Sequence, residues 1–172
     1  ADYEGFEERR TAAANDGKYR GIGIAYIIEM AASPGFEYTE IKIDASGQIT
    51  LYAGTTDNGQ GHRTMYTQLT CDFLGVTPDV VRIIESDTGL VKKGTGTSAS
   101  RSTTMGGSAI FLAANKIIDK GKIIAAHLLG GTANDIVFEK GAFKLSSTNR
   151  LTTLAEVAKA ANTPGQLPPG VE

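Results

Sequence analysis

The 172-residue chain has no tryptophan, one cysteine and only 5 prolines. A lone Cys71 excludes an internal disulfide framework, a zinc site built from several thiolates, and an iron–sulfur cluster held by this chain. No apolar run approaches the ~20 residues of a membrane-spanning helix, and the opening Ala1 to Arg10 is acidic and polar rather than signal-like. Charge of one sign is lacking too. With 17 Lys and Arg against 19 Asp and Glu, the net charge of −2 creates no field that would gather nucleic acid. Apolar residues at 41% and charged residues at 21% describe an ordinary globular domain with a modest core. The single thiol is compatible with the cytoplasm, where we place the protein.

What is abundant is glycine, 21 residues in all, much of it beside Ser and Thr. A flexible linker would gather Gly and Ser in one run. Here they separate apolar segments, so they shape turns and close backbone approaches.

The apolar pattern between them sets the expected elements. Residues Asp2 to Lys18, with Glu7, Glu8, Arg9 and Arg10 together, read as a solvated helix. Arg20 to Ala32 (RGIGIAYIIEMAA) is apolar and β-branched, and Gly21 and Gly23 argue against a helix, which predicts a buried strand. Tyr38 to Asp44 and Gln48 to Ala53 alternate around Ala45-Ser46-Gly47 as a hairpin. After Gly61, Met65, Leu69 and Phe73 recur at i, i+4 spacing with Tyr66 beside them, on one helical face that Gly75 stops. Val80 to Glu85 reads as a short strand, and Arg101 to Leu129 as a long helix that Gly121 kinks or divides. Ile136 to Leu145 predicts a second hairpin around Lys140-Gly141, Leu151 to Ala161 a last helix, and residues 163–172 an extended Pro-rich tail. The expected class is α+β, a mixed sheet with hairpins and helices packed on one face, in a single segment over residues 1–172.

The informative residues precede the two central helices. One loop, Gly54-Thr55-Thr56-Asp57-Asn58-Gly59-Gln60-Gly61-His62, leaves a hairpin strand. The other runs from Gly94 through Thr97, Ser98, Ala99, Ser100, Arg101, Ser102 and Thr103. Amides of a first helical turn favour an anion, glycine lets a ligand approach the backbone, and hydroxyls add hydrogen bonds. Neither loop is GxxxxGK[ST] or GxGxxG. The plainer reading is that Ser, Thr, Asp and Asn are ordinary helix caps and need no ligand.

Order and identity carry the argument further. GTTDNGQGHRTMYTQL followed by GTGTSASRSTTMGGSA resembles the large subunit of molybdenum hydroxylases, the xanthine dehydrogenase, aldehyde oxidase and carbon monoxide dehydrogenase superfamily. The likeness is nearest the carbon monoxide dehydrogenase-like branch, and DYEGFEERR, RGIGIAYIIE and LPPGVE extend it over nearly the whole chain. The resemblance implies an oxidoreductase whose equivalent segments wrap a molybdenum–molybdopterin cofactor, in bacterial members as the cytosine dinucleotide. By position, Gly59, Gln60, Gly61 and His62 would lie against the pyranopterin or its pyrophosphate. Thr97, Ser98, Ala99, Ser100, Arg101, Ser102 and Thr103 would form the second wall, with Ala99 toward the molybdenum. The expected partners are the remainder of the large subunit and FAD-binding and iron–sulfur subunits or domains, in an oligomer.

The family's general base lies in a GxGE-type motif that these residues do not contain, and the substrate loop is missing as well. An excised, inactive segment is therefore expected. No catalytic residue and no metal ligand is assigned within it. His62 reads as a cap or cofactor contact before a general base, and Ser100 or Ser102 lacks the GxSxG setting of a nucleophile. Arg101 would pair with a phosphate, or with Asp87 or Glu85. Asp87 reads as a turn residue, His127 as a packed or partly exposed helix residue, and Cys71 as a small half-buried hydrophobe. The alternative function is a phosphate- or nucleotide-binding module without redox chemistry.

Overall fold

The computed structural model describes residues 2–31 and 35–171. The predicted hairpin is β1 (Thr39–Ile43) paired antiparallel with β2 (Ile49–Ala53). Its turn is held by the Asp44 carboxylate, which accepts from Ser46 N at 2.8 Å and Gln48 N at 3.1 Å. Ile49, Leu51 and Ala53 point inward from β2 and are buried, the period of a strand with one face on the core. From β2 the chain passes through the first loop into α2 (His62–Leu74) and returns as β3 (Val81–Ile84), parallel to β2. A parallel neighbour requires such a crossover.

After β3, residues 85–101 wind back over the hairpin and enter a π-helical turn, Ser102–Gly106, that continues into α3 (Gly107–Leu129). A second sheet follows, with β4 (Ile136–Glu139), β5 (Ala142–Leu145) and β6 (Leu151–Thr153) all antiparallel. The chain ends in α4 (Leu154–Ala161), whose Thr153 cap accepts from Glu156 N at 3.2 Å. Helix α3 packs on both sheets, so one helix joins them. The larger core gathers Leu74, Ile124, Phe143, Leu145 and Val157, and a smaller one gathers Leu51, Tyr66, Ile83 and Ile110 under the two loops.

The α+β class is as expected, in two three-stranded sheets, the first of them mixed. Several details differ. Residues 20–31 form no strand, and Ile24, Tyr26 and Ile28 are almost wholly exposed. A strand is held by a neighbour, and neither sheet contains one for this segment; its last predicted residue, Ala32, lies outside the described ones. Gly121 does not divide α3. Its missing side chain makes room for Phe143, whose Cε1 would stand 2.9 Å from a Cβ at that position. The predicted last helix is a strand, β6, followed by α4. The tail turns at Pro164-Gly165 and Pro169-Gly170 and lays Leu167 and Val171 on the core. Among the described residues, the helix Phe6–Asn15 (α1) buries nothing, as expected, and no helix is long and apolar enough to cross a membrane.

Candidate functional site

The first loop closes on itself. Asp57 Oδ1 accepts from Gly59 N at 2.9 Å, the Gln60 Oε1 accepts from Asn58 N at 2.5 Å, and the Gln60 Nε2 donates to Thr56 O at 3.1 Å. Gly59 and Gly61 have φ of +101° and +85°, where side chains are strained, and nothing lies within 4 Å of where a Cβ would stand. The tip from Asn58 to Gly61 is exposed. Gly61 is the cap of α2.

The second loop is fastened to the base of the first. Gly96 N donates to Gly54 O at 3.1 Å. The Thr97 hydroxyl accepts from Thr56 N at 3.0 Å and donates to Thr56 O at 2.8 Å. Gly54 and Gly94 meet back to back, a Cβ on Gly54 falling 2.6 Å from Gly94 Cα. Beyond this seam Ala99 and Ser100 adopt left-handed φ of 46° and 51°, a conformation that costs a non-glycine residue energy and is held by its surroundings. Ser98, Ala99, Ser100 and Thr103 are exposed; the Ser100 hydroxyl donates to Glu29 at 3.4 Å and that of Thr103 to Met65 Sδ at 3.0 Å.

The remaining expected residues lie behind the loops. His62 is buried, its Nδ1 hydrogen-bonded to Glu85 Oε1 at 3.0 Å and its ring tilted against Tyr66. Thr55 is also buried, and its hydroxyl donates to the same Glu85 oxygen. Tyr66 is fully buried, with its hydroxyl 3.0 Å from Thr55 Oγ1 and donating to Ser102 O at 3.1 Å. Burial pushes the Tyr66 phenol up to about 12, so it keeps its proton. Arg101 turns inward. Its guanidinium donates to Phe36 O and stands 3.6 Å from the buried Glu37 carboxylate, which replaces Asp87 and Glu85 as its acidic neighbour. Asp87 accepts from Gly89 N at 2.9 Å and Leu90 N at 3.1 Å, as a turn residue should. Cys71 is half-buried, and desolvation raises its thiol.

Glu37 and Tyr66 therefore matter to the site without having been singled out for it, while Thr55 belongs to the first loop and Glu85 engages His62 and Thr55 rather than Arg101. An acidic residue directly after the apolar VRII run was the one available signal, since a carboxylate at a buried strand end needs partners.

A bound cofactor can be tested against these residues. The open backbone at Gly59 and Gly61, and the exposed hydroxyls at Ser98, Ser100 and Thr103, fit a polar ligand that approaches closely. The start of α2 fits an anion less well, because Asp57 is already there, its carboxyl held below the usual range first by Gly59 N and then by Arg63 N and the His62 side chain. The donor set as a whole fits.

The fold and the paired loops define an α+β scaffold that presents two glycine- and hydroxyl-rich loops at the entries of two packed helices. Residues 1–169 match the molybdopterin cofactor-binding domain, and the chain belongs to that family. It is 36% identical to the carbon monoxide dehydrogenase large chain of Hydrogenophaga pseudoflava, over 95% of this chain and 22% of the relative. With the 6-hydroxypseudooxynicotine dehydrogenase complex subunit gamma of Paenarthrobacter nicotinovorans it shares 31% identity, over 91% and 20%. The crystal structure of the Cu,Mo-CO dehydrogenase superposes with a TM-score of 0.76 at 32% identity, covering 98% of this chain and 24% of the other. Quinoline 2-oxidoreductase from Pseudomonas putida 86 gives 0.72 at 30%, over 98% and 23%. The chain thus spans about a fifth of the length of the curated relatives it matches.

Proposed function

We propose that these residues are one α+β segment of the large subunit of a molybdenum hydroxylase, an oxidoreductase, and that the two loops hold its molybdopterin as the cytosine dinucleotide. The seam between Thr56 and Thr97 carries the reading. It closes two ligand-suited loops on each other in a chain matched over residues 1–169 to a cofactor-binding family.

Gly59, Gln60, Gly61, Ser98, Ala99, Ser100 and Thr103 face the ligand, while His62, Thr97, Arg101 and Ser102 hold the loops from behind. Asp57 makes the first loop a poor neighbour for phosphate, so that loop takes the neutral pterin edge and the second loop's hydroxyls take the phosphates. When bound, the molybdenum would supply a two-electron redox centre for hydroxylation. This chain's residues bind and orient the group and keep its approach open at Gly59 and Gly61. FAD-binding and iron–sulfur subunits or domains, and an oligomeric assembly in the cytoplasm, complete the proposal.

The test is Gly61→Val in the complete large subunit expressed with its partners. A branched side chain at this φ is strained and fills the approach to the backbone. Molybdenum per folded protein, by elemental analysis, is expected to fall by tenfold or more, on the order of 1.4 kcal/mol or above. Full occupancy would refute the assignment of the first loop to the cofactor.

A further inference from the structure

We propose that Tyr66 is a positioning residue for the cofactor, its buried hydroxyl setting the second loop against the first; this rests on the function proposed above. Tyr66 is fully buried within α2, too deep to touch a ligand held at the exposed tips. Its hydroxyl nonetheless reaches both walls, at 3.0 Å from Thr55 Oγ1 at the root of the first loop and at 3.1 Å from Ser102 O at the end of the second. With the Tyr66 proton given to Ser102 O, the single Thr55 proton is shared between Tyr66 Oη and Glu85, which His62 also engages at 3.0 Å. The run from His62 through Glu85, Thr55 and Tyr66 to Ser102 is buried throughout. It links the end of β3, the start of α2, the first loop and the helix that the second loop enters.

The helix is shaped to receive this hydroxyl. Ser102–Gly106 is a π-helical turn, an irregularity common at functional sites. Gly106 in that turn has ordinary helical φ of −64°, so no backbone demand requires glycine there. The demand is steric: a Cβ at Gly106 would overlap Tyr66 Oη and stand 3.2 Å from its Cζ. The hydroxyl therefore occupies space that a side chain at 106 would take. Ser102 lies two residues beyond Ser100, and the left-handed pair Ala99-Ser100 is exposed. Anchoring Ser102 O fixes where that pair stands relative to Gly59 and Gly61.

Tyr66→Phe removes the oxygen and keeps the ring. In the complete large subunit with its partners, molybdenum per folded protein is expected to fall by up to about tenfold, the worth of one buried hydrogen bond. In the cofactor-free protein, amide hydrogen exchange over residues 97–103 should speed up while residues 110–129 hold their protection. Gly106→Ala should reproduce the molybdenum loss by displacing the hydroxyl, and should add little to it in the Tyr66→Phe background. A role limited to stability predicts lower melting with unchanged molybdenum per folded protein, and that result overturns the inference. Molybdenum losses that simply add in the double variant overturn it too. If Gly61→Val loses molybdenum and Tyr66→Phe does not, only this inference fails. If Gly61→Val retains it, the cofactor reading itself has failed.

Discussion

The Thr97 hydroxyl is bonded twice to one residue, accepting from Thr56 N at 3.0 Å and donating to Thr56 O at 2.8 Å. A side chain 41 residues away along the chain thus satisfies both backbone groups of a loop residue, as a strand neighbour would. Thr97→Val keeps the shape and removes both bonds, leaving the half-buried Thr56 N unpaired while Thr56 O keeps only Gln60 Nε2. Denaturant unfolding should show a loss of about 1–2 kcal/mol. Thr97→Ser keeps the hydroxyl and should lie close to the parent. Equal losses for Val and Ser would mean that the methyl group, and not the seam, holds the loops together.

Gln60 sits at the exposed tip, yet both ends of its side chain are spent on its own loop, accepting from Asn58 N and donating to Thr56 O. Removing it should act on the ligand through the shape of the turn as well as by direct contact. For Gln60→Ala in the complete large subunit we expect molybdenum retention to weaken by about tenfold. Circular dichroism and melting of the cofactor-free protein should barely change, because the tip carries no core. Were the loop only a helix cap, stability would fall by about 1 kcal/mol and the metal content of the folded protein would stay full.

Much of the scaffold was legible because its apolar residues alternate or recur cleanly. The hairpin at Asp44, the stop at Gly75 and the turn at Lys140-Gly141 all stand where expected. Two kinds of feature were not. The fully buried stripe of α2 is His62, Tyr66, Thr70 and Leu74; of these periodicity selects only Tyr66, beside the Met65, Leu69 and Phe73 face that packs half-buried on the smaller core. The stripe's members are mostly polar in type, and burial there follows from hydrogen bonding to Glu85 and Ser102, which no hydropathy pattern reports. Arg20 to Met30 fails in the other direction. Its β-branched residues describe a strand correctly as a local preference, but a strand also needs a neighbour. In the candidate site, the two loops stand out by motif, while the distinction between exposed tips and buried struts is set by hydrogen bonds between residues 30 to 41 apart.

Glu40 links β1 to the segment behind the second loop. Lys92 Nζ lies 2.8 Å from its Oε2, and the Tyr38 hydroxyl donates to the same oxygen at 2.6 Å. Lys92 first, then Tyr38, hold the carboxyl down at about 2 from an ordinary 4.5. A carboxylate whose folded value is depressed adds stability above its unfolded value and loses it as pH falls through the folded one. Glu40→Gln should therefore lower melting at neutral pH, and the deficit should shrink between pH 4.5 and 2. Because Lys92 is mostly exposed, salt should reduce the neutral-pH deficit. A deficit that persists unchanged at pH 2 would assign Glu40's contribution to packing.

The segment from Tyr19 to Met30 offers a different kind of test, in the chain of 172 residues by itself. Ile24 is 72% exposed, Tyr26 95%, Ile27 84% and Ile28 99%, so neither side of the run is covered. Its residues prefer strand geometry, and no strand of either sheet pairs with its backbone. A second copy brings the same unpaired run, and antiparallel pairing of two would satisfy the backbone and cover the isoleucines together. Sedimentation velocity should show association that grows with concentration. Ile28→Lys places a charge in the middle of the run, where pairing would bury it or set it opposite its own copy, and should shift the equilibrium toward monomer. Ile123→Lys, on an exposed position of α3, should not. If both variants dissociate the chain equally, the contact is general apolar adhesion, and if the parent stays monomeric throughout, the run does not pair with itself.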